Sequence, residues 1–435
     1  MAQQPAPRHI VSMNLPENTA VFGYTLGCRL NSFETEALVE ELVDVLSGRR
    51  VATPEEADLI VVNTCAVTAR SQGRSRRIVR SWASRYPEKE IVVTGCVAAV
   101  APEDFKDTDR VTVVPNTEKH MIPEIVYPDG SYENIPENSL FPASAPLTTS
   151  RTRGFLKIQD GCNNSCTYCI VPRARGGSRS QPKELVLKQA EEMVRAGFRE
   201  ISLTGVDIAD YGRGLYTDGY GLPELVEELL EIGGFRLRVG SVEPMYLTVK
   251  TLEKLALPGL CNHFHIPFQS GSNRVLKLMG RRYDREEEEE LLSAVTTLFP
   301  GACIGSDIIA GFPGETQEDY QQSLRLAQDN RINYLHVFPF SPRPGTPASS
   351  MKPLHTEKIT TRSRELRMVS EISRTEFRRN NLSSTREMLV EGRKRSGRNI
   401  GFTDNYIPVY APYGAAEGEL VEVVLSEDTI CWSLR

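Results

Sequence analysis

Long apolar runs, internal repeats and low-complexity tracts are all missing from this sequence. No stretch reaches the roughly 18 apolar residues of a membrane-spanning helix, which excludes an integral helical membrane protein. The opening MAQQPAPRHIVSMNLPENTA lacks the continuous apolar core of a secretory signal, so the expected location is the cytoplasm, with no membrane partner. A strong charge imbalance is missing too: 51 Lys and Arg against 57 Asp and Glu leave a net charge of −6. Generic polyanion binding is thereby excluded, and any contact with nucleic acid has to be a local basic patch. With 40% hydrophobic and 25% charged residues, wholesale disorder is excluded as well. A chain of 435 residues has room for about three domains.

Cysteine, by contrast, is present nine times, an odd number, and a disulfide framework does not suit a reducing compartment. Six of the nine fall into two patterns. Cys162, Cys166 and Cys169 crowd into eight residues, while Cys28, Cys65 and Cys96 stand 37 and 31 positions apart. Cys261, Cys303 and Cys431 stand alone and read as packing residues.

Short apolar runs alternate with helical patterns at the start of the chain. Residues 20–25 lead into Gly27-Cys28 and a helix over 32–46. Residues 58–62 lead into Asn63-Thr64-Cys65 and a helix over 68–84, and 90–94 lead into Gly95-Cys96. The pattern predicts a parallel α/β domain over 18–127. Each spaced cysteine then sits at the carboxyl end of a strand, the edge at which open parallel sheets bind ligands. Residues 128–150, rich in Pro, Ser, Asn and Thr, read as a linker. A second series over 151–381 places strands at 154–159, 199–204, 236–240, 262–266, 302–309 and 333–338, followed by a charged helix over 356–381. Six such units predict an open or partial (β/α) barrel with its site at the C-terminal strand ends. The acidic run Glu286–Glu290 reads as a solvated helix face. From 382 to 435, short runs at 388–391, 399–403, 407–410, 420–425 and 429–433 predict a small all-β barrel. The fold class is α/β with this all-β appendage.

The cysteine triplet GCNNSCTYC gives C-x3-C-x2-C after the first barrel strand. Three thiolates on one tight loop suit three corners of a cubane 4Fe–4S cluster and leave the fourth iron without a protein ligand. A structural zinc site asks for a fourth ligand, and no His or Cys stands nearby in sequence. This spacing at this address resembles the radical S-adenosylmethionine enzymes. The resemblance implies that the open iron chelates S-adenosylmethionine and that one electron releases a 5′-deoxyadenosyl radical, chemistry that the cofactor carries and the protein orients. It also implies cofactor contacts from Tyr168 in the triplet and from later strand ends: Thr204 and Gly205, Ser241 and Glu243, Gln269, Asp307 and Phe340.

The segments TLGCRLN, NTCAV and GCVA around the spaced cysteines, with the barrel and the β-rich end, resemble the methylthiotransferases from about residue 20 onward. That family joins an N-terminal three-cysteine domain, a radical S-adenosylmethionine barrel and a TRAM β-barrel. The resemblance implies a second 4Fe–4S cluster on Cys28, Cys65 and Cys96 whose open iron carries sulfur. No catalytic residue is assigned beyond the cluster ligands. The TLGCRLN opening and QDGCNNSCTYCIVPRARG look most like the subgroup that acts on threonylcarbamoyladenosine at position 37 of tRNA. A ribosomal-protein aspartate methylthiotransferase and a non-catalytic metal-stabilised RNA-binding protein are the alternatives. The implied partners are the tRNA anticodon loop, an external electron donor and a sulfur source, with the protein acting as a monomer. Arg70, Arg74 and Arg77 share a helix face in a stretch, 66–81, without an acid. They read either as a phosphate-gripping stripe or as a solvated face. Arg393 and Arg395 open the β-rich end, whose aromatics either stack on bases or fill its core.

Overall fold

The runs AVFGYT, LIVVNT and EIVVTG are rich in β-branched residues, and in the computed structural model they form strands β1 (Ala20–Thr25), β3 (Leu59–Thr64) and β4 (Glu90–Gly95). The structure describes residues 13–106, 108–128, 146–147, 152–395 and 397–434, so most of the expected linker 128–150 lies outside the described residues. The chain divides into two compact units. One comprises residues up to 148 together with Ile170–Gly177, and the other comprises 149–169 and 178–435.

In the first unit, β2 (Arg49–Arg50) and β5 (Val111–Val113) flank the three long strands in a parallel sheet of order β2-β1-β3-β4-β5. Strand β3 is buried along its whole length because both faces are covered. Alternation sends Ile60, Val62, Ile91 and Val93 into one apolar layer and Leu59, Val61 and Val92 into the other. Helices Arg29–Val45 and Ala69–Arg85 follow β1 and β3. The second of these is started by a reciprocal cap between Thr68 and Ser71. The short helix Val171–Arg175, which sequence order assigns to the barrel, belongs to this unit, and Ile170 and Ala174 are part of its core.

In the second unit the expected strand 154–159 divides. β6 (Gly154–Lys157) stays in the main sheet, while β7 (Gln159–Asp160) pairs antiparallel with β8 (Arg179–Ser180). β9 (Glu200–Thr204) and β10 (Arg236–Arg238) complete one parallel three-stranded sheet, β10-β9-β6. β11 (His263–His265), β12 (Cys303–Ala310) and β13 (Ile332–Pro339) form a second. Parallel bridges Leu237↔Leu260 and Ser241↔His265 join the two into one six-stranded partial barrel. Cys261, Cys303 and Cys431 are buried, and Cys303 lies in an apolar core.

The C-terminal strands β14 (Thr385–Arg395), β15 (Arg398–Thr403), β16 (Pro408–Tyr410) and β17 (Leu420–Val424) form an antiparallel sheet of order β16-β15-β14-β17. The expected fifth strand, 429–433, contributes one bridge, Val409↔Ile430. Its start is diverted into a local turn, with the Ile430 amide donating to the Ser426 carbonyl and the Thr429 amide to the Ser426 hydroxyl.

This sheet is tied to the barrel through one buried carboxylate. Glu200 lies 2.6 Å from Arg236, 2.9 Å from Arg238 and 3.5 Å from Arg153. Arg236 also donates to the carbonyls of Glu387 and Phe402, and Arg238 to those of Thr403 and Asp404. Phe402 and Tyr406 stack on each other at 4.9 Å beneath the Arg153 guanidinium, and Tyr406 meets His263 at 4.7 Å. These two aromatics fill the junction.

Burial raises the Glu200 carboxyl, but Arg238, Arg236 and Arg153 outweigh it and hold the group well below the usual range. A depressed value contributes stability that is complete above the ordinary glutamate pKa of about 4.3 and is lost as pH falls through the folded value. Glu200→Gln strands three cations, and breaking a buried pair costs about 3–5 kcal/mol. Amide exchange in 385–403 should therefore accelerate at neutral pH in this variant. Unchanged protection there would show that Glu200 does not hold the sheet.

Candidate metal and cofactor sites

The three spaced cysteines follow β1, β3 and β4, so one edge of the first unit's sheet collects them. Cys28 is exposed, while Cys65 and Cys96 are buried. Gly27 and Gly95 hold the turns at φ +111 and +89, and space as well as conformation requires glycine. A Cβ on Gly27 would stand 2.8 Å from Cys65 Cβ, and one on Gly95 would stand 2.3 Å from Asn63 Oδ1.

One buried carboxamide stitches these loops together. Asn31 donates to the carbonyls of Leu26 (2.8 Å) and Thr64 (3.0 Å), and its oxygen accepts from Arg175 at 2.6 Å. Arg175 is itself buried and paired with Glu34 at 2.9 Å, and Lys119 reaches Glu34 at 2.6 Å. Burial raises the Cys65 and Cys96 thiols, and the Arg175 guanidinium opposes the rise at both.

The second unit repeats these devices around Cys162, Cys166 and Cys169. Gln159 donates to the Gly161 carbonyl (2.8 Å) and the Ser178 hydroxyl (2.9 Å). Its oxygen accepts from the amides of Val206 (2.9 Å) and Asp207 (2.8 Å). The cysteine loop and the Gly205 turn are thus fixed by one side chain. Lys157 and Asp160 form a fully buried pair at 2.7 Å, and Asp160 also accepts from the Gly161 amide. Arg281 lies 3.3 Å from Cys166 Sγ and pairs with Glu243. Burial pushes the Cys162 thiol up to about 12 and also raises Glu243, against which Arg281 acts.

The residues expected to contact the cofactor fall into four groups. Glu243 is engaged by Arg281. Ser241 Oγ stands 2.7 Å from His265 Nδ1, and the Gln269 amide donates to the Asp307 carbonyl at 2.8 Å, so Ser241, Gln269 and Asp307 share one wall. Tyr168 and Phe340 both pack edge-on against Phe312, at 6.3 and 5.5 Å. Thr204 is buried, and its carbonyl accepts from the Ile158 amide. On the helix Ala69–Arg85, Asp104 pairs with Arg76 and the Asp104 carbonyl accepts from Arg80. Arg70, Arg74 and Arg77 remain exposed, and no ion pair among the described residues engages them. Arg395 is exposed, while the side chain of Arg393 lies outside the described residues.

Asn31, Gln159, Arg175 and Arg281 were not legible as functional residues. Asn31, Gln159 and Arg175 stand inside the quoted motifs, but only the fold shows what they meet beside the cysteines.

Both trios fit an iron–sulfur cluster better than a single ion. Tetrahedral zinc with bonds of about 2.3 Å draws its sulfurs to about 3.8 Å of one another. Among the described residues the one trio of His, Cys, Asp or Glu ligand atoms within 4.8 Å of one another is His265, Asp307 and His336, so neither cysteine trio is drawn in that far. Soft sulfur ligands at wider spacing, each trio beside one buried arginine, suit a larger anionic cluster.

Comparison with known proteins adds three findings. The Radical SAM superfamily matches residues 156–327, and the family described as Uncharacterized protein family UPF0004 matches 20–115. The threonylcarbamoyladenosine tRNA methylthiotransferase MtaB of Bacillus subtilis is 34% identical over 93% of this chain and 97% of its own length. Its namesake from Aquifex aeolicus is 35% identical over 92% and 98%. A tRNA-2-methylthio-N(6)-dimethylallyladenosine synthase from Natranaerobius thermophilus is 32% identical over 92% and 93%. Among solved structures, the radical S-adenosylmethionine methyltransferase TsrM from Kitasatospora setae, with cobalamin and a 4Fe–4S cluster bound, shares the fold. Its TM-score is 0.54 at 14% identity, over 76% of this chain and 77% of that one.

Proposed function

Since the chain belongs to the methylthiotransferase family of radical S-adenosylmethionine proteins, we propose that it inserts a methylthio group at C2 of N6-threonylcarbamoyladenosine at position 37 of tRNA. The observation that carries this reading is the pair of cysteine trios on two strand edges of a chain that spans nearly the full length of relatives bearing that activity in their names.

Cys162, Cys166 and Cys169 would hold the cluster that works with S-adenosylmethionine, and Cys28, Cys65 and Cys96 the second cluster. When bound, these groups supply hydrogen abstraction from an unactivated carbon and the sulfur that replaces the hydrogen. The chain's own residues position and insulate. Gln159 locks the triplet loop to the turn at Gly205, where a ligand on the strand edge would meet backbone rather than side chain. Arg281 and Arg175 each set a buried positive charge against thiolate sulfur, compensating anionic charge that the low-dielectric edge would otherwise resist. Tyr168, Phe312 and Phe340 wall the cofactor side of the barrel with apolar surface that keeps water from a reactive species.

The substrate reading is tested by mass spectrometry of tRNA nucleosides from cells with and without the gene. Threonylcarbamoyladenosine should accumulate without its methylthio derivative when the gene is deleted. An unchanged nucleoside profile would end the reading.

The exposed stripe of Arg70, Arg74 and Arg77 is our proposed phosphate contact. Arg76 and Arg80 are occupied by Asp104, so the three remaining cations carry the stripe. Each phosphate contact contributes about 0.7–0.9 to the log–log salt slope of binding. Arg74→Ala with Arg77→Ala should weaken tRNA binding and flatten that slope by about 1.5. An unchanged slope in a titration at two salt concentrations would leave the helix as a solvated face.

A further inference from the structure

His265, Asp307 and His336 form a polar cluster in the barrel that the cysteine trios do not explain. Leu335 and Val337 face the helix Thr356–Asn380, so alternation along β13 turns Tyr334 and His336 to the concave face. Asp307 pairs with His336 in the ladder, and β11 brings His265 alongside. Asp307 Oδ1 stands 3.0 Å from His265 Nε2 and 3.2 Å from His336 Nδ1. Burial acts to raise the Asp307 carboxyl, but the contacts from His265 and His336 outweigh it and bring it to about 2, so it is a fixed anion.

The two histidines are not equivalent. His265 is the more enclosed: its Nδ1 meets Ser241 Oγ, its Nε2 stands 3.0 Å from Asp307 Oδ1, and its side chain is 12% exposed. His336 commits only Nδ1, its side chain is 54% exposed, and no hydrogen bond or ion pair among the described residues takes its Nε2. With two imidazoles to one carboxylate, one ring can compensate Asp307 while the other meets a ligand anion.

On the substrate reading proposed above, the base enters the barrel carrying a threonyl carboxylate. A dimethylallyl substituent, by contrast, is wholly hydrocarbon, and covering this wall with it would leave imidazole and carboxylate edges unpaired. We infer that His336, its Nδ1–H held by Asp307, donates from Nε2 as the imidazolium to the carboxylate of the N6 substituent and so selects an anionic substituent over an apolar one. The inference rests on that substrate reading and adds to it the side chain that recognises the substituent.

The test uses the cluster-loaded full chain and two anticodon stem-loops, one carrying threonylcarbamoyladenosine and one carrying its methyl ester. The wild type should prefer the acid by about tenfold or more, both in kcat/KM and in binding measured by anisotropy without turnover. His336→Phe should bring both ratios close to one, and His336→Gln, which keeps a neutral donor, should fall between. His336 is exposed, so folding is not at stake in either variant. If the wild type methylthiolates the acid loop but His336→Phe keeps the full acid preference in binding, the inference is overturned while the substrate reading stands. If the wild type modifies neither loop, the substrate reading fails and takes the inference with it. Stoichiometric zinc or iron beyond the cysteine-held clusters, lost in His336→Phe, would overturn the inference by giving the three side chains to a metal.

Discussion

Gathering three cysteine ligands at strand ends is an electrostatic problem before it is a catalytic one, and the two units solve it alike. Each trio has one buried carboxamide that ties its loops to neighbouring backbone, Asn31 in the first unit and Gln159 in the second. Each also has one buried arginine anchored on a glutamate, Arg175 on Glu34 and Arg281 on Glu243. The carboxamides satisfy carbonyls and amides that strand ends leave unpaired. The arginines offset thiolate charge that burial disfavours, and their glutamates keep them from being stranded cations themselves.

The same economy of charge organises the rest of the barrel. At its lower end Glu200 gathers three arginines, two of which spend their remaining donors on carbonyls of the C-terminal sheet. The sheet is therefore positioned by backbone acceptors rather than by an apolar seam alone, and its central aromatics serve the junction. Elsewhere on the sheet the Arg398 guanidinium lies over the largely exposed Tyr413.

Strand positions were legible because periodicity is local. Ala20–Thr25 was read to its ends, and Glu90–Gly95 and Leu59–Thr64 to within two residues. The cysteine edges followed from topology, since a parallel strand delivers its next residue to the same side every time. What sequence could not show is which distant side chains meet there. Arg175 lies 144 positions from Asn31, and nothing local marks it as a neighbour of Cys65. The fifth C-terminal strand was read from an apolar run that local hydroxyl and turn hydrogen bonds divert, and the break after Lys157 comes from a ribbon between segments 19 or more residues apart. His336 carries no signal in sequence, a single histidine in an apolar strand, until Asp307 and His265 stand beside it.

The central claim is that the two trios have separate tasks, cofactor cleavage in the barrel and sulfur delivery in the N-terminal unit. The direct measurement is a full-length variant with Cys28, Cys65 and Cys96 changed to Ala, assayed anaerobically with a reductant and tRNA. It should retain about half of the wild-type iron, a single cluster's share. It should also still cleave S-adenosylmethionine to 5′-deoxyadenosine while its tRNA gains no methylthio group. Methylthiolated tRNA from that variant, or loss of cofactor cleavage along with methylthiolation, would contradict the division of labour.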